Sequence, residues 1–219
     1  MVGEVVTVDD VAGAFCSVVL ESYGRRPGPR WNMVLSGGPT ARHCYERLAA
    51  SAGGIVNWSE VDLYMGDERC VAADDPDANQ RLVRESLLSR ADGATFHPMS
   101  CTDGPDAYDA VLSRCEAFDV VHLGLGPDGH TASLFPDSPA LAAPPGRLVV
   151  RSTDPHENNP HDRMTITYEA IARARLAVFT VSGRSKRSAF AAVRAGADAP
   201  ATAVRAGRVL WLVDPAAAG

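Results

Sequence analysis

Short apolar runs alternate with amphipathic stretches along almost the whole chain, and this alternation restricts the fold more than any other feature. Residues 31–35 and 61–65 are too short and too apolar for surface helices and read as strands. Residues 119–125 are apolar with little internal alternation, as expected of a strand buried on both faces. Residues 147–150, 164–166, 177–181 and 208–213 are further strand candidates. Between them, Val11, Phe15, Val18 and Val19 recur at helical spacing, with Thr7 or Asp9 as the expected cap. Ala41, Cys44, Tyr45 and Leu48 share one face of a second helix over 41–50, which stops before Gly53-Gly54. Asp75-Pro76 offers a cap followed by proline at the first helical position, and Ala78, Leu82, Val83 and Leu87 continue that helix. Residues 185–193 form another, ending at Gly196. Strand–helix alternation of this kind predicts an α/β fold, Rossmann-like, with a mainly parallel sheet flanked by crossover helices. Residues 142–146 and 154–162 read as loops, and the tail 216–219 as frayed. No linker divides the chain, so residues 1–219 are expected to form a single domain.

Apolar residues make up 46% of the chain, enough to bury a core between such layers. The net charge of -6 excludes a basic nucleic-acid footprint but not an anionic small molecule. The first ten residues lack a basic n-region, and no apolar run reaches the roughly 18 residues that cross a bilayer. The five cysteines are scattered, odd in number and without a Cys-x-x-Cys pair, which predicts reduced thiols in a cytoplasmic protein. With no secretory signal, the glycosylation sequon Asn57-Trp58-Ser59 is read as chance. Nothing in the pattern specifies an oligomeric state.

In open α/β sheets, ligands bind beyond the carboxyl ends of the strands. Three segments lie there. Ser36-Gly37-Gly38-Pro39-Thr40 follows the first strand candidate and opens a helix. Its Gly37 and Gly38 amides, with the Thr40 hydroxyl, suit an anion at a helix N-terminus. A tight strand-to-helix turn would use the same glycines. The loop lacks the Gly-Lys-Ser/Thr ending of a nucleotide-binding P-loop. Met65-Gly66-Asp67-Glu68-Arg69 ends the second strand, where Arg69 can hold a phosphate or steady developing negative charge. A solvated loop or an internal ion pair is the plainer reading of Asp67 and Arg69.

Gly124-Leu125-Gly126-Pro127-Asp128-Gly129-His130 contains a literal G-x-G-x-x-G, but Pro136 arrives too soon for the long helix a dinucleotide site needs. Pro127-Asp128-Gly129 is turn chemistry that presents His130 at a strand end, where it can act as a general base with Asp128 to orient it. His122, inside an apolar strand, reads as a packed histidine and His97 as structural. His43, His156 and His161 read as surface residues. No His-Glu-x-x-His or paired-cysteine spacing suggests a metal, and no Gly-x-Ser-x-Gly elbow suggests a serine hydrolase.

In order and spacing, the glycine loop, Gly66-Asp67-Glu68-Arg69 and the segment from Gly124 to Pro136 resemble the 6-phosphogluconolactonase family. Arg163-Met164-Thr165 and Gly183-Arg184-Ser185-Lys186 are similar to its later motifs, so the resemblance spans about residues 31 to 214. It implies the α/β fold shared with glucosamine-6-phosphate deaminase and hydrolysis of a phosphorylated sugar lactone, without metal or organic cofactor. It further implies His130 as base, Asp67 and Arg69 lining the site, and Lys186 and Arg163 helping to hold the phosphate. Pro39 stands where the family often has serine, which removes one amide donor. Two other functions fit less well. A deaminase of the same fold tends to read Leu-Asp-Glu-Tyr and Ile-Ala-Phe-Asn where this chain has Gly66 to Arg69 and Thr131 to Leu134. A non-catalytic sugar-phosphate sensor would have no need of His130.

Overall fold

The computed structural model describes residues 3–219. Ten strands are defined among these residues: β1 Glu4–Thr7, β2 Trp31–Leu35, β3 Val61–Met65, β4 Asp67–Arg69, β5 Thr95–His97, β6 Phe118–Leu123, β7 Val149–Ser152, β8 Arg163–Ile166, β9 Ala174–Val181 and β10 Arg208–Val213. The helices are α1 Val11–Gly24, α2 Pro39–Ser51, α3 Asn79–Ser86, α4 Gly104–Leu112, α5 Tyr168–Ala172, α6 Arg187–Arg194 and α7 Pro215–Ala218. Seven strands form one sheet in the order β1-β10-β9-β6-β2-β3-β5, with every pairing parallel. The other three, β4-β8-β7, form a small antiparallel sheet.

The central strands β2, β3 and β6 are almost entirely buried because helices cover both sheet faces. Phe15 and Tyr45 from α1 and α2 pack over one part of the sheet. Phe179 and Trp211 stack at 3.7 Å on adjacent β9 and β10, with Phe190 of α6 beside them. The chain leaves β2 towards β3 but leaves β6 towards β9, so the carboxyl ends of neighbouring β2 and β6 diverge. Such a reversal opens a crevice in a parallel sheet. Gly66 joins the two sheets: its N–H donates to Leu35 O and its carbonyl accepts from Ile166 N, both at 2.8 Å.

Several local expectations are corrected. Asp10, not Thr7 or Asp9, caps α1, accepting from Gly13 N at 2.8 Å. Helix α3 begins at Asn79 rather than Pro76, because residues 75–78 form a turn in which Asp77 N and Ala78 N donate back to Asp75. The segment 67–69 is a strand rather than a loop, and the strands near 149 and 164 belong to the antiparallel sheet. The C-terminal tail is a helical turn whose Asp214 accepts from Ala217 N at 2.7 Å. Cys70 and Cys101 form a disulfide, with Cα atoms 5.3 Å apart, so the expectation of uniformly reduced thiols fails. Cys16, Cys44 and Cys115 are free and buried, as expected of small apolar side chains.

Candidate active site

The carboxyl ends of β2, β3, β6 and β9 surround a cleft of about 340 Å³. It brings together Gly37, Gly38, Thr40, Asp67, Arg69, His130, Arg163 and Lys186. Three separate chain reversals and the small sheet supply these residues, so the shared wall is a product of the fold.

The glycine loop passes directly from β2 into α2, with Gly38 at the cap position and Pro39 at the first helical position. The amide that proline lacks would have no helical partner there, so Pro39 costs the helix nothing. Gly37 is required by close approach: a Cβ there would stand 1.8 Å from Asn79 Oδ1. Thr40 lies within the first turn of α2 rather than capping it.

After β6 the chain makes a closed turn, with Gly126 N donating to His130 O at 2.8 Å and Gly129 N to Gly126 O at 3.1 Å. No long helix follows, which disposes of the dinucleotide reading. His130 Nδ1 lies 2.6 Å from Asp128 Oδ1, which also accepts the His130 backbone N–H at 3.1 Å. This contact leaves Nε2 as the lone-pair nitrogen of the neutral ring. A Cβ at position 126 would meet His130 Nδ1 at 2.1 Å, so glycine there makes room for the imidazole. Phe135 meets the ring edge-on at 4.9 Å. Burial pushes the Asp128 carboxyl up, but the hydrogen bond and charge of His130 outweigh it and hold Asp128 below its usual range.

Also lining the cleft, Arg69 of β4 pairs directly with Arg163 of β8. Like charges in this register repel. Neither arginine has an ion-pair partner among the described residues, and each has a buried Nε without a hydrogen bond. Arg69 donates to Asp77 O, and Arg163 donates to Pro160 O at 2.9 Å. Burial, then the nearby Arg69 charge, lowers the Arg163 pKa. Lys186, in a 3₁₀ turn leading into α6, is likewise lowered by burial, with Asp128 pulling the other way. Asp214 secures the loop before it, accepting from Ser182 Oγ at 2.6 Å and Gly183 N at 2.8 Å. The cleft thus holds three cations without a salt-bridge partner among the described residues, the condition an anionic ligand would complete.

Asp67 is held by Ser133 Oγ at 2.6 Å and Asn79 Nδ2 at 3.2 Å. Glu68 faces away from solvent and receives three amides at 2.7 Å, from Arg69, Asn79 and Gln80. It therefore caps α3 from a distance. Burial pushes its carboxyl up to about 7 against the pull of those amides. Sequence reading missed the roles of Asn79, Ser133 and Glu68. The last two stood inside recognised motifs, but Asn79 carried no local signal. His122 is buried as expected, His97 bonds Asp62 at 3.0 Å, and His43 is exposed. His156 and His161 pair with Asp137 and Asp77 outside the cleft. No cluster of three or more His, Cys, Asp or Glu suited to a metal occurs among the described residues.

A parallel sheet whose cleft holds a histidine–carboxylate pair and cations without salt-bridge partners is an α/β site of the class suited to an anionic substrate. Comparison with known proteins narrows this class. The family described as glucosamine-6-phosphate isomerases/6-phosphogluconolactonase matches residues 7–211. A 6-phosphogluconolactonase of Synechocystis sp. is 38% identical over 202 residues, covering 83% of this chain and 81% of the relative. One of Mycobacterium tuberculosis is 39% identical over 209 residues, covering 85% and 83%. The 6-phosphogluconolactonase structure of Trypanosoma brucei superposes with a TM-score of 0.85 at 25% identity, covering 99% of this chain and 97% of the other. A monomeric glucosamine-6-phosphate deaminase superposes at 0.82 over 98% of each chain, but at 16% identity it shows the shared fold alone. The chain belongs to the glucosamine-6-phosphate isomerase/6-phosphogluconolactonase family.

Proposed function

We propose that this chain is a 6-phosphogluconolactonase, hydrolysing 6-phospho-D-glucono-1,5-lactone to 6-phospho-D-gluconate in the oxidative pentose phosphate pathway. The observation that carries this reading is the His130–Asp128 pair on a cleft that also holds cations without salt-bridge partners. His130 Nε2 takes a proton from water as that water attacks the lactone carbonyl, and Asp128 stabilises the imidazolium that forms; when the tetrahedral intermediate collapses, the bond from C1 to the ring oxygen breaks and the imidazolium returns the proton to that leaving oxygen. The lactone is reactive enough that no covalent nucleophile is needed. The Gly37 and Gly38 amides, Thr40, Arg163 and Lys186 hold the phosphate. Arg69 faces the developing oxyanion, and Asp67, fixed by Ser133 and Asn79, lines the ring. Holding the phosphate fixes the carbonyl against the water, a positional contribution worth several kcal/mol. No metal or organic cofactor enters this scheme.

The same reading treats residues 1–219 as one catalytic domain, supported by a sheet that takes strands from both ends of the chain. A cytoplasmic location suits this metabolic role. No helix among the described residues is long and apolar enough to cross a membrane, although the Cys70–Cys101 disulfide is atypical of a reducing compartment. An acidic chain of this kind has no use for nucleic acid.

Acid release from the lactone, measured above the spontaneous rate, tests the assignment. His130→Ala is expected to lower turnover by about 10²–10⁴-fold while 6-phosphogluconate still competes for the site. Unchanged turnover would remove His130 from the chemistry. Ammonia release from glucosamine 6-phosphate would favour the deaminase reading, and no hydrolysis above background would favour a sensor.

A further inference from the structure

Beneath the glycine loop runs a buried polar chain that the scheme above does not use. Tyr45 Oη, fully buried on α2, accepts from Ser36 N at 2.7 Å and lies 3.3 Å from Ser36 O. It stands 2.9 Å from His122 Nδ1 of β6, and His122 Nε2 is 2.8 Å from Thr180 Oγ1 of β9. Thr180 in turn faces the Cys44 thiol. Phe15 packs against the imidazole at 4.2 Å. Ser36, His122 and Thr180 also line the cleft.

The donor count sets the direction of this chain. Tyr45 has one proton, and its shorter onward contact is to His122 Nδ1. That nitrogen then accepts, and Nε2–H donates to Thr180. Burial lowers the His122 pKa to about 3, so the ring is neutral and does not titrate near neutrality. A packed apolar pair would fill the same space without the need to satisfy four polar groups. The polar alternative has a geometric consequence: it pins Ser36, the residue from which the Gly37 and Gly38 amides project.

We propose that Tyr45 and His122 are positioning residues for the phosphate loop, tying Ser36 to β6 and β9 so that the following glycine amides are aimed into the cleft before substrate arrives. This rests on the reading that the glycine loop and Lys186 hold the phosphate. Neither residue touches the reacting atoms.

The probe is inorganic phosphate as a competitive inhibitor of lactone hydrolysis, with KM and kcat measured alongside thermal stability. Tyr45→Phe and His122→Leu are expected to raise the phosphate Ki and KM together by about five- to tenfold, the effect of one lost hydrogen bond, with kcat nearly unchanged. His122→Gln can still accept from Tyr45 and donate to Thr180, so it is expected to bind phosphate nearly as the wild type does. The double variant Tyr45→Phe/His122→Leu should be little worse than either single change. If Tyr45→Phe and His122→Leu only lower the melting temperature and leave Ki and KM alone, the positioning role is refuted. A fall in kcat at constant KM would refute it equally. Lys186→Ala in parallel separates the two proposals. Weakened phosphate inhibition there but not in Tyr45→Phe overturns the clamp alone, and no response in any variant overturns both. Should His122→Leu fail to fold, the contrast between Tyr45→Phe and His122→Gln decides.

Discussion

Replacing Asp128 with asparagine is the sharpest test of how His130 is activated. Asp128 Oδ1 lies 2.6 Å from His130 Nδ1 and also takes its backbone N–H, so the carboxylate fixes both the ring and its tautomer. An asparagine oxygen can still accept from the backbone, but the amide carries no charge to stabilise the imidazolium formed as water is deprotonated. A hydrogen bond to a charged group contributes about 1.5–3 kcal/mol, which corresponds to roughly 10- to 150-fold in rate. Asp128→Asn is therefore expected to reduce kcat within that range. KM should change less than kcat, because Arg163 and the glycine loop make no contact with Asp128 and only Lys186 feels its charge. The assay is initial-rate acid release at several pH values, corrected for spontaneous hydrolysis. A variant that folds and keeps kcat within twofold of wild type would show that Asp128 does not activate His130.

Two further predictions concern stability. The Glu68 carboxyl, at about 7 in the folded protein against an ordinary 4.5, binds its proton more tightly folded than unfolded. Its contribution is present below 4.5 and lost as pH rises through 7, by up to about 3 kcal/mol. Denaturant unfolding of Glu68→Gln between pH 5 and 8 should lack that part of the slope, and an unchanged slope would place the titration elsewhere. Cys101→Ser opens a disulfide spanning 31 residues, and loop-closure entropy predicts a loss of about 3–4 kcal/mol. Denaturant midpoints with and without reductant check this, and a wild type insensitive to reductant would refute it.

The elements that could be read from sequence are those whose identity depends on burial alone. The runs 31–35, 61–65 and 208–213 match β2, β3 and β10 to the residue. Each is a short, mostly apolar run, interrupted by one polar residue at most, of the length and composition of an interior strand. The Asp128-Gly129-His130 turn was legible for a similar reason, since its geometry is written in neighbouring residues. The start of α3 was not, because its cap is Glu68, eleven residues upstream of Asn79 and on another element. Two strands of the small sheet were read near 149 and 164, but the third, 67–69, and the antiparallel pairing were not, because strands of three or four residues carry no period that specifies a partner.

The chain by itself determined the layered α/β class, the parallel core strands and the chemical types available at the strand ends, because apolar periodicity and turn chemistry act over a few residues. Only the tertiary structure decided that Arg69 faces Arg163, that Cys70 meets Cys101, and that Tyr45 reaches His122. These contacts join distant positions through the sheet order, and strand order depends on how whole faces pack rather than on any local pattern.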